Sequence, residues 1–256
     1  MTLPGLDGVD RGALLRTLAA VAVLLGLTIA VLVALRAPRP AVPLLAIGRA
    51  VVQLAAVSVV LSGIISDPRW VAVALGVMVV VAVGTATRRI GAGRAAIAPV
   101  ALAIVAGTAV ALTAIFVSGA LEPTGRYLLA MGGIVIGNAM AISGVTGRRL
   151  RDGVRERWDE VEGWLALGAR PRQATRDMGR QSIGLALAPT LDQTATTGLV
   201  ALPGAFVGAI FGGLSPVEAA RFQILVLTGV IAAGAVAAAV IVLSLGAVRQ
   251  RPEAGN

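Results

Sequence analysis

Residues 97–118 read IAPVALAIVAGTAVALTAIFVS, a run without a charged side chain. A helix crossing ~30 Å of hydrocarbon at ~1.5 Å per residue needs about 20 apolar residues, and this run meets that length. Alone it could be a buried helix of a large soluble protein. The pattern recurs, however, along a chain of 256 residues that is 57% hydrophobic. Comparable runs lie at about 13–35, 43–65, 70–87, 128–146, 186–213 and 222–246. The expected fold is therefore all-α: a polytopic transmembrane helical bundle of about seven spans, forming one membrane domain over residues 1–256. The first run is too long for a signal peptide. Its leader MTLPGLDGVD is acidic and no A-x-A site follows, so it is read as a retained helix.

Charge gives the orientation. The net charge is +9 and all 22 basic residues are Arg. Arg36 and Arg39 flank the first loop, and Arg88, Arg89 and Arg94 fill the third. Nine arginines occupy a polar insert at 147–183, and Arg249 and Arg251 lie in the tail. The alternate loops hold only Arg69, Arg126 and Arg221, each near an acid (Asp67, Glu122, Glu218). The positive-inside rule then places the insert and the C-terminus in the cytoplasm and, with seven spans, the N-terminus outside. Arg11 and Arg16 pull weakly the other way. A cell membrane location follows. The arginines suit anionic headgroups rather than nucleic acid, because aromatic residues make up only 3% of the chain.

The chain has no Cys and no His, which removes thiolate and triad chemistry and zinc sites of the ordinary kind. It also has no Lys, so a GxxxxGK[ST] phosphate loop is impossible. No cofactor is expected on this chain; if it uses ATP and Mg, another subunit must hold them.

Small residues at four-residue spacing let helices approach closely in lipid. Gly133, Gly137 and Ala141 form one strip, and Gly204, Gly208 and Gly212 another. Each is either ordinary packing or a seam that moves or dimerises. Span six would be ~42 Å long as one helix. Pro189 and Pro203 can each kink or break it. Its polar first part, APTLDQTATTG, is expected at the cytoplasmic interface or a watery cavity, with the part beyond Gly198 doing most of the crossing.

Polar groups at membrane depth usually face a partner or a cavity. Asp192 is the main candidate for a translocation role, with Thr190, Gln193, Thr194 and Thr197 beside it. Arg49, Gln53 and Asn138 are the others. For Asp192 the alternative is an interfacial acid or an ion pair with Arg49. Arg49 can snorkel, and Asn138 can serve as interhelical glue. Any cation passing here would meet oxygen ligands, which suits a hard ion. No metal site is assigned.

The insert contains EGWLALGARPRQATRDMGR, residues 162–180. Val154, Trp158, Val161 and Leu165 share one helical face, which could lie on the membrane surface. Gly168 is a helix stop and Pro171 a first helical residue, so two short helices should meet at a sharp corner. Such a corner is either a lever gripped by a partner or a solvated loop.

Glu162, Gly168 and Ala169 resemble the cytoplasmic coupling loop of ABC transporter permeases. In chain order, GRAVVQL, GNAMAISG, LGARPRQA, APTLDQTATTGLVALPGAFVGAIFGG and SPVEAARFQILV resemble the iron-export-type ABC permease family. That family includes bacterial iron-export permeases and plant aluminium-tolerance permeases, and the resemblance spans roughly residues 45 to 245. It implies a permease paired with itself and with separate ATP-binding subunits. Glu162, Gly168, Ala169, Arg170 and Pro171 would form the coupling corner. Metal export is the family's expectation for the substrate. A proton-coupled secondary carrier using Asp192, or a non-transporting membrane scaffold, are the alternatives.

Overall fold

The computed structural model describes residues 11–64 and 68–252. The acidic leader 1–10 and Asp67 lie outside the described residues. The chain divides into two compact units, 1–64 and 65–256.

The first unit holds two apolar helices, α1 (Arg11–Ala34) and α2 (Val42–Ile64). Arg36 and Arg39 both take positive φ (50° and 58°) in the turn between them.

The second unit is a helical bundle. Its long elements are α3 (Pro68–Ile90), α4 (Ile97–Val117, entered through a short 3-10 turn at Gly93–Ala96), α5 (Gly125–Glu156) and, at the end, α10 (Pro216–Leu245). Between them come α6 (Trp158–Ala166), α7 (Pro171–Ala174), α8 (Arg176–Thr196) and α9 (Gly204–Phe211). Among the described residues five helices are long and apolar enough to cross a membrane, at 12–34, 68–90, 93–117, 125–156 and 216–245. The described apolar stretch of α2 is the shorter Val42–Ala55. The chain is thus a multi-pass helical membrane protein, and the outward Leu, Val and Ile side chains of α3, α4 and α10 face where lipid would be.

Direction is legible from the packing. A Cβ at Gly132 would stand 2.6 Å from Leu75 Cδ2, and one at Gly147 2.6 Å from Ile90 Cδ1, so α3 and α5 run parallel. Met131 packs with Phe222, while Leu150 and Val154 pack with Val242 and Leu245, so α10 runs the same way. The α4 helix returns between them, Ile104 meeting Ala237 and Ile115 meeting Val226. The core is made of small and β-branched residues such as Ala86, Val100, Ile104, Ala139 and Ile241, each at most 3% exposed. Such side chains let helix backbones approach closely where no water drives them together.

Two boundaries differ from the sequence reading. The α5 helix runs ten residues into the segment taken as insert, because Gly144, Gly147, Leu150 and Val154 continue its buried stripe. At 32 residues it is ~48 Å long, well beyond the ~30 Å of hydrocarbon. Span six is not one helix. Pro189 is accommodated inside α8, and the break falls instead at Thr197–Leu202, where Pro203 caps α9. The eight residues of α9 rise only ~12 Å, so the part beyond Gly198 does not make most of the crossing.

Candidate functional site

The insert folds back on the bundle. Helix α5 breaks at Arg157, and α6 carries the stripe onward, so Val154 and Val161 are buried with Ala174 and Met178 against Val242, Leu245 and Val248. The stripe that could have lain on lipid is covered by the chain's own residues. The opposite side of the insert exposes Glu162, Trp164 and Leu167, the last two 52% and 82% exposed.

The corner forms where the sequence places it. Leu167 and Gly168 close α6 through backbone bonds to Gly163 and Leu165, and Gly168 takes φ +87°, a region an L side chain enters only with strain. Ala169 is half-buried and Arg170 exposed. The Arg170 N–H donates to Gln173 Oε1 at 2.9 Å, and Pro171 opens α7. Backbone bonds continue across Thr175, from its N–H to Pro171 O and from the Gly179 N–H to Thr175 O, joining α7 to α8 with little interruption. The buried Thr175 hydroxyl donates to Gly246 O at 2.6 Å, at the end of α10.

From this corner α8 runs antiparallel to both α5 and α10. Met178 lies beside Gly153, Gly179 beside Val242, and Leu187 between Ile142 and Gly234. Where α8 ends, a cavity of about 280 Å³ opens. Asn138 from α5, Thr190, Gln193 and Thr194 from α8, Thr197 and Pro203 from the break, and Gln223 from α10 line it. The irregular backbone between α8 and α9 borders this cavity. Three of its polar residues donate to main chain, Thr194 to Thr190 O (2.7 Å), Thr197 to Gln193 O (2.8 Å) and Asn138 Nδ2 to Ile134 O (3.0 Å), and Thr196, outside the lining, donates to Asp192 O (3.1 Å). Gln223 is 6% exposed, and its Oε1 has no hydrogen-bond partner.

The structure therefore brings together Asn138, Gln193 and Thr194 but leaves Asp192 exposed and off the lining. Arg49 and Gln53 belong to the first unit, exposed on α2. Of the two glycine strips, a Cβ at Gly133 would stand 3.2 Å from the Met78 methyl, one at Gly137, Gly204 or Gly208 would find open space, and one at Gly212 would meet only carbonyls of its own helix. Gly208 and Gly212 line a second cavity, about 620 Å³, between α5 and α9. Among the described residues no three acidic side chains gather as they would around a metal.

Gln223, Thr175 and the exposed pair Trp164 and Leu167 escaped the sequence reading. Gln223 carried a signal, an amide between Phe222 and Ile224 in an apolar run. Thr175 carried none, since its partner lies 71 residues away.

A family model described as "Uncharacterised protein family (UPF0014)" matches residues 15–249. Among curated relatives, "UPF0014 membrane protein STAR2" of Oryza sativa subsp. japonica is 39% identical over 198 residues, covering 75% of this chain and 68% of the relative. "Protein ALUMINUM SENSITIVE 3" of Arabidopsis thaliana is 36% identical over 195 residues, covering 74% and 70%. "Probable iron export permease protein FetB" of Escherichia coli (strain K12) is 38% identical over 125 residues, covering 49% and 48%. No solved structure matches the chain.

Proposed function

Since this chain belongs to the UPF0014 family, we propose that it is the membrane-spanning permease subunit of an ABC transporter. A metal ion or related solute is exported, and ATP with its Mg is bound and hydrolysed by a separate subunit. Two copies of the permease pair with two copies of that subunit in the cell membrane. The insert and the C-terminus face the cytoplasm, and the N-terminus faces outside.

One observation carries this reading. The corner around Gly168 is packed on its inner side, through Val161, Ala174 and Met178, and bare on its outer side, where Trp164 and Leu167 stand beside Glu162. Apolar side chains left bare on a helix too short to span call for a docked partner. The inner side leads to α8 through Thr175 and to α10 through Gly246. A partner that shifts the corner therefore shifts two helices bordering the polar cavity. Taking such a two-state device from 1:99 to 99:1 needs ~5.5 kcal/mol of differential binding, which a loose loop could not transmit. The name of the E. coli relative, with iron export in it, supports the solute class.

The test is co-purification with the ATP-binding subunit. Glu162→Arg, Gly168→Pro and the double variant Trp164→Ser with Leu167→Ser should reach the membrane yet lose the subunit. Unchanged co-purification of all three variants would overturn the docking role.

A further inference from the structure

The two cavities share two wall residues. Ile134 of α5 and Ala205 of α9 line both the cavity of about 280 Å³ where α8 ends and the cavity of about 620 Å³ between α5 and α9. The order along each helix gives their arrangement. One face of α5 carries Tyr127, Ala130, Ile134 and Asn138, spaced by three, four and four residues. The first three line the larger cavity and the last two the smaller. On α9, Ala205 borders both, whereas Gly208 and Gly212 line only the larger. On α10, Phe222 lines the larger, and Gln223, Val226 and Val230 the smaller. The cavities are therefore stacked end to end along α5, with Ile134 and Ala205 between them. From Arg126 to Asn138 the stack runs ~18 Å at ~1.5 Å per residue.

Its two ends differ. Away from the insert, the larger cavity meets the surface at Thr124 and Arg126, both exposed. Small side chains on α9 keep it open. A Cβ at Gly208 would meet nothing within 4 Å, so the glycine leaves space rather than permitting a close approach. Toward the insert the stack is shut. One turn beyond Asn138 comes Ile142, one turn beyond Thr190 come Ala186 and Leu187, and one turn beyond Val230 comes Gly234. These residues close on one another. Ile142 and Ala186 are buried with Ala238, Leu187 packs against them, and a Cβ at Gly234 would collide with Ile142 and stand 3.3 Å from Leu187 Cδ2. The partition at Ile134 and Ala205 is lighter, two half-buried apolar side chains. An apolar constriction of this kind stops water and ions by dewetting and admits them when it widens.

We propose that the larger cavity is the outer vestibule of a translocation path, the smaller cavity its inner chamber, and Ile134 with Ala205 the gate between them. The path opens toward the face opposite the insert and is sealed toward the insert by Ile142 and Leu187 closing over Gly234. The proposal rests on the permease reading and names the route by which the solute leaves. Ala205 is the second residue of α9, just past the break that ends α8, so a movement of α8 driven from the corner reaches the gate.

The chain has no Cys, so single cysteines can report the path without background. The full chain is expressed in spheroplasts without an ATP-binding subunit and treated from outside with a charged, membrane-impermeant methanethiosulfonate. Reaction is measured against total thiol after denaturation. Gly208→Cys in the vestibule should react fast and Thr194→Cys in the chamber slowly. Leu167→Cys on the insert should react only after the membrane is permeabilised. Added to Thr194→Cys, Ile134→Ala should raise its rate about tenfold, and Ala205→Phe, or the smaller plug Ala205→Leu, should lower it about tenfold. Unfolding exposes thiols, so it cannot imitate the slowing. Gly208→Cys that reacts with a membrane-permeant maleimide but not with the charged reagent would mean a cleft filled by lipid, and would overturn the proposal. A Thr194→Cys rate indifferent to all three gate variants, or reaction of Leu167→Cys before permeabilisation, would do the same. Because no ATP-binding subunit takes part, the result stands apart from the co-purification test. Labelling as expected with failed co-purification sinks only the ABC assignment, and the reverse outcome sinks only the path.

Discussion

The hydroxyl of Thr175 lies 2.6 Å from the carbonyl oxygen of Gly246, and this buried bond ties the root of α8 to the end of α10. The residues are 71 positions apart, and the bond satisfies a carbonyl that a helix end otherwise leaves without a partner.

Thr175→Val keeps the shape and removes the donor, leaving Gly246 O buried and unpaired. The expected cost is about 1–3 kcal/mol in unfolding free energy, read by thermal or denaturant melting in detergent. On the proposed function, the ATP-binding subunit should still co-purify, because the outer side of the corner is untouched, while ATP-driven transport falls. Thr175→Ser, which keeps the donor, should recover most of both. Full transport by the valine variant would show that the bond transmits nothing.

Gly168→Ala tests the corner's backbone. At φ +87° a Cβ costs about 1–2 kcal/mol, although open space surrounds the position and nothing clashes. The penalty should therefore depend on backbone preference alone, with Gly168→Asn milder than Gly168→Ala. Equal melting of the two variants would mean the corner relaxes to another conformation.

Gly107→Ala tests the α4–α10 contact. A Cβ there would collide with the Ala233 carbonyl, which is backbone and cannot swing away. Overpacking of this kind costs about 1–3 kcal/mol. Gly137→Ala, with nothing within 4 Å, should be close to neutral for folding of the single chain. Comparison of the two melting curves decides.

Ser215→Ala tests the entry to α10. The Ser215 Oγ accepts the Glu218 N–H at 3.3 Å, and the Glu218 carboxylate takes both the Ser215 N–H, at 3.0 Å, and its hydroxyl, at 2.7 Å. Loss of this cap should cost about 1 kcal/mol, measurable as a lowered melting midpoint without change in membrane insertion.

The sequence was most informative where a single residue's backbone or polarity decides the outcome. Gly168 and Pro171 mark the corner because one favours positive φ and the other opens helices. The apolar runs mark the spans because length and hydropathy suffice. It was least informative where two distant segments must meet. Pro189 looked as capable of breaking span six as Pro203, yet the helix continues past Pro189, packed through Ala186 and Leu187 against Ile142 and Ala238. Gly137 fitted a packing strip by spacing, but the close approach of α5 to α3 falls on Gly132 and Gly147, which depends on how α5 is rotated. Asp192 stood out by charge, whereas the cavity is lined by its uncharged neighbours and by Gln223 from another helix.

At the end of α3, Arg148 Nε donates to Arg89 O at 3.0 Å and Arg151 Nη1 reaches toward Ile90 O at 3.5 Å. These arginines, on the last turns of α5, thus serve as anchors for a neighbouring helix besides carrying the charge that the positive-inside rule reads. An attempt to turn the molecule over in the membrane by exchanging the charges of the polar insert, these two included, would strip α3 of those anchors. The outcome would be a damaged bundle rather than an inverted one, and topology in this chain cannot be engineered separately from its stability.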